Sequence, residues 1–261
     1  MQEQLDKIER DGYAIFPGFL NKTTTARIRA HMDSLLAAPE PRDDAQARRV
    51  LELRHPIPGA IMADIASNPD LISLAQALLH ANDLKLLEQV LIRTDPRDAD
   101  LAPTAIQGWH LDMTFMPEHY NARPRQTYFH MVHSLNNVAP DGGGTALIPG
   151  SHLKTYAAAQ RLGPERLGEL KSDPIEVAGL DLKDAVQLAP QEGDLLVFNP
   201  MCLHSATVNT SKESRYVYFA SFFDSSAHHL IDYLEGINYQ RTFPDGMVDE
   251  LPEELKSLVV A

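Results

Sequence analysis

Two residues in the middle of the chain have side chains that could bind a metal ion together. His110 and Asp112 lie two positions apart in the segment Gly108-Trp109-His110-Leu111-Asp112. In an extended chain, residues two positions apart point to the same side, so an imidazole nitrogen and a carboxylate oxygen would converge. A second histidine would complete the set of two histidines and one carboxylate that leaves open positions on divalent iron. The same spacing also occurs in ordinary surface strands, so the pair alone does not decide.

The third ligand is expected on a later strand that lies beside the first. His204 follows Gly193-Asp194-Leu195-Leu196-Val197-Phe198, which is typical of a turn that enters a buried strand. His152 is the rival, but it lies in a turn beside a predicted helix start, where capping or loop packing explains a histidine. His130 and His133 are three positions apart on a predicted strand, so they face opposite sides and cannot easily share one metal. We therefore expect His204 to be the third ligand.

One arginine opens the last apolar run of the chain. Arg215 precedes Tyr216-Val217-Tyr218-Phe219, and strand alternation places it on the same face as Val217 and Phe219. A buried guanidinium needs an anion, and its planar fork suits a carboxylate held through two hydrogen bonds. The alternative is a solvated arginine at a strand edge, because most arginines are exposed.

The elements that must position these residues begin with a helical region. The first 80 residues are predicted to be mostly helical, apart from a short strand at residues 13–16. Capped or amphipathic segments indicate three helices: residues 2–11, a helix from Asn21 or Thr23 to about Ala37, and a helix from Asn68-Pro69 to about His80.

From residue 84 onward, the sequence changes to short runs rich in β-forming residues, which turn clusters separate. Helices are not regularly interposed, so an antiparallel sandwich or barrel is favoured over a parallel sheet. The runs are 84–92, 127–135, 145–148, 194–198 and 216–223. We expect one domain over 1–261 that is mostly β with a helical flank. Its parts are a helical region at 1–83, a barrel core at 84–225 with a helical insertion at about 153–171, and a C-terminal extension at 226–261.

Composition excludes several classes of protein. The chain has 261 residues, of which 44% are hydrophobic, as in a globular protein with its own core. The formal net charge of −13 argues against nucleic-acid binding, which needs a basic surface. No apolar run approaches the ~18 residues of a membrane span, and the N-terminus does not resemble a signal peptide. With a single cysteine, Cys202, these features predict a cytoplasmic protein without an intrachain disulfide. The sequence does not indicate an oligomeric state.

Four segments, in order along the chain, resemble motifs of the phytanoyl-CoA dioxygenase family. They are Asp11 to Leu20, Trp109 to Asp112, Asp141 to His152, and Gly193 to Phe198 with the later His204 and Arg215. The resemblance extends over most of the chain. It implies a double-stranded β-helix, which is a jelly-roll or cupin-like barrel, with N-terminal helices.

The resemblance also implies cofactors and the residues that bind them. It assigns Fe(II) to His110, Asp112 and His204, with O2 and 2-oxoglutarate as co-substrates. Arg215 would hold the 2-oxoglutarate. Gln89 lies near a position that the family uses to line the co-substrate pocket.

One position departs from the family pattern. Members often carry a serine two residues after the last iron-binding histidine, where its hydroxyl contacts 2-oxoglutarate, and here that position is Ala206. Thr207 is one residue further and should face away if the strand is regular. The co-substrate has therefore lost one hydroxyl partner or finds another.

The resemblance implies an Fe(II)- and 2-oxoglutarate-dependent dioxygenase that hydroxylates or otherwise oxidises a small molecule and releases succinate and CO2. Asp112 favours hydroxylation over halogenation, because halogenases on this fold usually have a small residue there. No catalytic residue beyond the metal ligands is expected. Two alternatives stay open: a non-catalytic sensor or scaffold that binds metal or 2-oxoglutarate, and a zinc hydrolase with the same ligands, in which Arg215 has no role.

The identity of the substrate is not indicated by the sequence. On the predicted strand 127–135, Tyr128 and His130 share a face, which is a candidate wall of the substrate pocket. Four arginines are candidates for binding an anionic substrate group, although for each of them a solvated surface position is the favoured explanation: Arg54, Arg93, Arg123 and Arg125.

Overall fold

The computed structural model describes residues 1–36, 50–54, 57, 59–97, 106–236, 249 and 253–258. Its strands form two sheets, and all the strand pairings within each sheet of the described structure are antiparallel. The strands are β1 (Tyr13–Phe16), β2 (Val50–Arg54), β3 (Leu84–Thr94), β4 (Ile106–His110), β5 (His130–Ser134), β6 (Thr145–Leu147), β7 (Val186–Gln187), β8 (Leu195–Phe198), β9 (His204–Thr207) and β10 (Arg215–Asp224).

The two sheets pack face to face. The larger sheet has the strand order β1-β8-β5-β10-β3-β2, and the smaller sheet has the order β4-β9-β6-β7. Between them, Leu147 of the smaller sheet packs with Val132, Leu196 and Val217 of the larger sheet. This is the expected jelly-roll architecture, which is thereby confirmed together with its N-terminal helices.

Helices cover the outer face of the larger sheet and form the main hydrophobic core with it. They are α1 (Gln2–Asp11), α2 (Lys22–Leu35), α3 (Ala60–Ala66), α4 (Pro69–Leu79) and, between β4 and β5, α5 (Pro117–Asn121). Two of the predicted caps are present, because the Asn21 side chain accepts a hydrogen bond from the backbone of Thr24, and the Asn68 side chain accepts from the backbone of Asp70 and Leu71.

The helical insertion is longer than the sequence indicated. It begins at Ser151 and contains α6 (Ser151–Leu162), α7 (Leu167–Ser172) and α8 (Pro174–Ala178). After β10, the C-terminal part contains α9 (His228–Gly236) and a 3-10 helix at Glu253–Leu258, whereas most of the predicted extension beyond residue 236 lies outside the described residues. No helix in the described ranges is long and apolar enough to cross a membrane.

Candidate metal centre and co-substrate pocket

Two strands of the smaller sheet bring the three expected metal ligands together. His110 ends β4, His204 begins β9, and the two residues are register partners in this antiparallel pair. Asp112 lies two residues beyond β4. Its Oδ1 is 3.4 Å from Nε2 of His110, and its Oδ2 is 3.1 Å from Nε2 of His204. The ligand atoms of all three side chains lie within 4.8 Å of one another, close enough for one ion to bridge them.

Backbone carbonyl groups orient both histidine rings. Nδ1 of His110 lies 2.8 Å from the carbonyl oxygen of Gly108, and Nδ1 of His204 lies 3.0 Å from that of Cys202. Because a carbonyl oxygen only accepts, Nδ1 is the donor in each ring, and Nε2 keeps its lone pair for a metal. Gly108 has a φ of 69°, a conformation that favours glycine, at the point where the register between β4 and β9 shifts.

A third histidine lies behind the carboxylate of Asp112. Nε2 of His130 is 2.8 Å from Oδ2 of Asp112, and its Nδ1 is 3.3 Å from Oε1 of Glu88. Burial disfavours the charged ring, but the two carboxylates outweigh it and raise the pKa of His130 to about 9. Burial likewise acts to raise the pKa of Asp112, but His204 and His130 outweigh it and hold that pKa well below its ordinary value. These surroundings keep Asp112 ionised, as a metal ligand must be.

A cavity of about 410 Å³ between the sheets connects this cluster with Arg215. Arg215 begins β10, is only 9% exposed, and places Nη2 3.4 Å from Oγ1 of Thr145. Among the described residues, Arg215 has no carboxylate partner, and its Nε makes no hydrogen bond. Burial lowers the pKa of Arg215 to about 10. A buried cation without a carboxylate partner in the described part of the chain, next to a cavity, indicates a binding site for an anion.

The edge strand β2 gives the cavity a charged rim. Glu52 and Arg54 of β2 and Glu88 of β3 all line the cavity. Nε of Arg54 lies 2.5 Å from Oε1 of Glu52, and its Nη1 lies 3.6 Å from Oε2 of Glu88. Together with the contacts of His130, these pairs form a chain of charged side chains from the half-exposed Arg54 to Asp112.

Of the four arginines proposed for an anionic substrate group, Arg54 is the one that lines the cavity. Arg93 pairs with Asp33, and Arg123 donates to backbone carbonyl oxygens. Arg125 is fully buried and pairs with Glu9. Only Arg54 of this group therefore stays a candidate for substrate binding.

The sequence profile of the family described as Phytanoyl-CoA dioxygenase (PhyH) matches residues 8–217. The chain belongs to this family. The matched range includes His110, Asp112, His204 and Arg215. No curated protein sequence matches the chain significantly.

Several solved structures share the fold of this phytanoyl-CoA dioxygenase family member. The non-heme alpha ketoglutarate dependent epimerase SnoN from nogalamycin biosynthesis is 20% identical, with 86% of this chain and 83% of that chain covered and a TM-score of 0.62. HygX from Streptomyces hygroscopicus, with nickel, 2-oxoglutarate and hygromycin B bound, is 16% identical over 87% of this chain and 88% of its own, with a TM-score of 0.62. EctD from S. alaskensis with bound Fe is 19% identical, with 87% of this chain and 78% of that chain covered and a TM-score of 0.61.

Gln89 does not face the cavity, which corrects the expectation that this family member uses it to line the co-substrate pocket. Its side-chain amide donates to the carbonyl oxygen of Met62 in α3 and to the hydroxyl of Tyr218. These partners lie on the face of β3 that packs against the helices. Alternation along β3 instead turns Glu88 and Val90 toward the cavity.

The other candidate residues are placed as follows in this family member. His152 is buried in α6, with Nε2 3.1 Å from the carbonyl oxygen of Glu9, and lies outside the metal cluster. Tyr128 and His130 both line the cavity. His130, however, contacts Asp112, which the sequence pattern did not indicate.

The missing hydroxyl at Ala206 is not replaced by its neighbour. Thr207 donates its hydroxyl to the carbonyl oxygen of Gly144 at 2.7 Å, so that hydroxyl is already engaged. The sequence pattern also did not indicate Glu88 and Thr145, which line the cavity. Glu88 had a signal that could have been used, because it is the charged residue inside the otherwise uncharged run Leu86 to Ile92. Thr145 had none, because its position depends on strand register.

Proposed function

We propose that the protein is an Fe(II)- and 2-oxoglutarate-dependent oxygenase that oxidises a small molecule. The observation that carries this proposal is the buried Arg215, which lacks a carboxylate partner in the described structure and lines the same cavity as the His110, Asp112 and His204 cluster. A dicarboxylate with one end at a metal and the other at Arg215 satisfies both groups. Family membership, and neighbours that contain 2-oxoglutarate with nickel or that contain iron, support the proposal.

The three ligands have distinct tasks in the proposed centre. His110 and His204 bind iron through Nε2, which the carbonyl contacts at Nδ1 leave free. Asp112 supplies the carboxylate and cancels one positive charge of the ion. Such a set leaves coordination positions open for a co-substrate and O2.

Arg215 binds the distal carboxylate of 2-oxoglutarate and so orients its other end toward the metal. Iron and 2-oxoglutarate, when bound, supply the oxidative decarboxylation that gives succinate and CO2 and generates the oxidant for a substrate C–H bond. Apolar side chains of the cavity wall, such as Phe198, Val217 and Phe219, exclude water from this region. The protein therefore contributes binding, orientation and a dry pocket.

Asp112 also bears on the reaction type. A carboxylate ligand occupies the place that a halide would need at the metal, and its charge weakens halide attraction. We therefore expect an oxidised product, such as an alcohol, and no chlorinated one. The neighbour SnoN is an epimerase, so products formed at high chloride should be followed by mass spectrometry, which detects hydroxylation and chlorination, and by NMR, which detects an epimer of unchanged mass. A chlorinated product would refute the role given to Asp112.

The proposal is tested by following 2-oxoglutarate in the presence of Fe(II) and O2. We expect slow formation of succinate even without substrate, and its loss when iron is chelated. A sensor or scaffold would bind 2-oxoglutarate and form no succinate. A zinc hydrolase would bind zinc and show no affinity for 2-oxoglutarate, and either of these results would overturn the proposal.

For the substrate, we propose a small molecule that enters beside the charged rim formed by Glu52, Arg54 and Glu88. The neighbour HygX, which was solved with hygromycin B, supports a substrate of this size class. A mass-spectrometric screen of a metabolite library against the protein tests this. Depletion of a polymer substrate and of no small molecule would contradict it.

A further inference from the structure

Glu88 lies in the cavity wall beside an irregularity of β3. The register between β3 and β10 shifts at this point, because Ser221 pairs with Glu88 whereas Phe222 pairs with Leu86, which leaves Leu87 as the extra residue of a bulge. Bulges re-aim side chains, and here both Leu87 and Glu88 line the cavity. The side chain of Glu88 is only 9% exposed. The backbone therefore places a buried carboxylate in the wall of the cavity.

The contacts of Glu88 continue toward the metal centre through one histidine ring. Oε1 of Glu88 lies 3.3 Å from Nδ1 of His130 and accepts a hydrogen bond from Oγ of Ser221 at 3.3 Å. Oε2 of Glu88 lies 3.6 Å from Nη1 of Arg54. At the other end of the ring, Nε2 of His130 lies 2.8 Å from Oδ2 of Asp112. His130 therefore bridges two carboxylates, one of which is a ligand in the proposed metal centre.

Aromatic side chains fix the plane of the His130 ring. The ring stacks on Phe198 with centroids 4.7 Å apart, and it packs edge to face with Tyr128 and Phe219 at centroid distances of 5.0 and 5.9 Å. Within this plane, one ring nitrogen is directed to Glu88 and the other to Asp112. We therefore expect the contact at Nδ1 to determine how Nε2 meets the carboxylate of Asp112.

Stability of the fold alone does not explain a carboxylate at this position. The next cavity-lining residues of β3, Val90 and Ile92, are apolar, and a buried ion pair often stabilises a protein no more than apolar residues of similar size. Burial acts to raise the pKa of Glu88, but His130 and Arg54 outweigh it and hold that pKa below its ordinary value. Glu88 is therefore an ionised side chain in an otherwise apolar stretch of the wall.

We propose that Glu88 is a positioning residue of the metal centre, which acts on Asp112 through His130. The carboxylate of Glu88 holds one end of the imidazole ring, and the other end of the ring holds Oδ2 of Asp112. The carboxylate of Asp112 is thereby oriented toward the ion that it shares with His110 and His204. This inference rests on the proposed function, because it needs a metal ion at these three ligands.

The test uses cobalt(II) as the probe, because its visible absorption depends on the arrangement of the ligands around the ion. Competition with a metal-sensitive dye gives the cobalt affinity. Glu88→Gln keeps the size of the side chain and removes its charge, so this affinity should fall about tenfold, the lower end of the range for groups that orient a ligand, and the spectrum should shift. Glu88→Asp keeps the carboxylate and should retain more affinity than Glu88→Gln.

Glu52→Gln is the matched control on the same rim. It removes a charge whose ion pair in the described structure is with Arg54 and not with His130. Cobalt affinity and spectrum should therefore stay at their wild-type values. Equal losses of affinity in Glu52→Gln and Glu88→Gln would show a general effect of charge and would overturn the proposal.

A double-mutant cycle with His130→Phe tests the route from Glu88 to the metal. If Glu88 acts through His130, Glu88→Gln should cause no further loss of cobalt affinity in a protein that already carries His130→Phe. Equal losses in both backgrounds would overturn this route. A lower melting temperature of Glu88→Gln with an unchanged cobalt spectrum and affinity would show a merely structural role and would also overturn the proposal. A wild-type protein that binds no cobalt would instead refute the proposed metal centre itself.

Discussion

His130 and His133 lie three residues apart on β5 and face opposite sides of the larger sheet. His130 faces the cavity, where the carboxylates of Asp112 and Glu88 outweigh burial and raise its pKa to about 9. His133 stacks on Tyr218 on the helix-covered face, where burial lowers its pKa to about 3. The same side chain on the same strand is therefore charged on one face and neutral on the other, because only one face offers it anions.

The two faces of the larger sheet also differ in the partners of their buried arginines. In the helical layer, Arg125 is buried against the ring of Tyr120 and pairs with Glu9 at 2.5 Å. In the cavity, Arg215 is almost as deeply buried but has no carboxylate partner among the described residues. The buried arginine of the helix-covered face is paired within the protein, whereas the proposed function assigns a ligand to the buried arginine of the cavity face.

The largest expected effect comes from removing a metal ligand on the cavity face. His110→Ala or His204→Ala should abolish stoichiometric Fe(II) binding and 2-oxoglutarate turnover, because each removes one of three ligand atoms. Metal content after dialysis and succinate formation are the measurements. His152→Ala is the control from outside the cluster and should keep its metal. Metal loss that followed His152 and spared His204 would show that the ligand set is wrong.

A smaller effect is expected from the histidine behind Asp112. His130→Phe keeps a ring against Phe198 but removes the contacts to both carboxylates, so metal affinity should fall roughly 10–100-fold, as for other groups that orient a ligand. His133→Phe, the same substitution three residues away on the other face, should leave metal affinity unchanged. Competition titration with a metal-sensitive dye measures both. Equal losses of metal affinity in the two variants would contradict the claim that only the cavity face of β5 supports the metal centre.

His133→Phe should instead change the pH dependence of stability. The pKa of His133 lies below its ordinary value of 6.5 in the folded chain, so unfolding takes up a proton below that pH. Wild-type stability should then fall with decreasing pH from 6.5 toward 3, by up to about 1.4 kcal/mol per pH unit for this one site. The variant lacks this contribution. Urea unfolding between pH 6.5 and 4.5 should show the stability of the wild type falling relative to that of the variant as pH falls, and a constant difference would contradict the buried neutral state.

Of the strands in the larger sheet, all but β2 could be predicted, and the four central ones, β8, β5, β10 and β3, are largely buried on both faces. β3, β8 and β10 are apolar runs, and β3 could be predicted as a strand although it contains the charged Glu88. β4 and β9, which carry the two proposed histidine ligands, were expected only from the metal-ligand argument and not from the apolar pattern of their own sequences. Their sequences, IQGWH and HSAT, are short and contain few apolar residues, because they serve the cavity more than the core.

Some features of the candidate site could be predicted from local sequence, whereas others depend on long-range strand pairing. The spacing of His110 and Asp112 is local, and so is the alternation that places Arg215 on an apolar face. Gln89 was placed wrongly because the sequence shows that a strand alternates but not which of its faces meets the cavity. Thr145 and Ala206 are 61 positions apart in sequence, and their pairing depends on the register between β6 and β9. Such contacts become visible only in the folded chain.

The two faces differ most at Arg215, which has no carboxylate partner in the described structure. Calorimetric titration of 2-oxoglutarate into metal-loaded wild type and Arg215→Lys tests its role directly. Lysine keeps the charge and loses the planar fork, so the binding free energy should weaken by roughly 1–3 kcal/mol. The affinity for the metal alone should stay unchanged, because Arg215 touches none of the ligands. An equal dissociation constant for 2-oxoglutarate in both proteins would contradict the assignment of this cavity to a dicarboxylate held by Arg215.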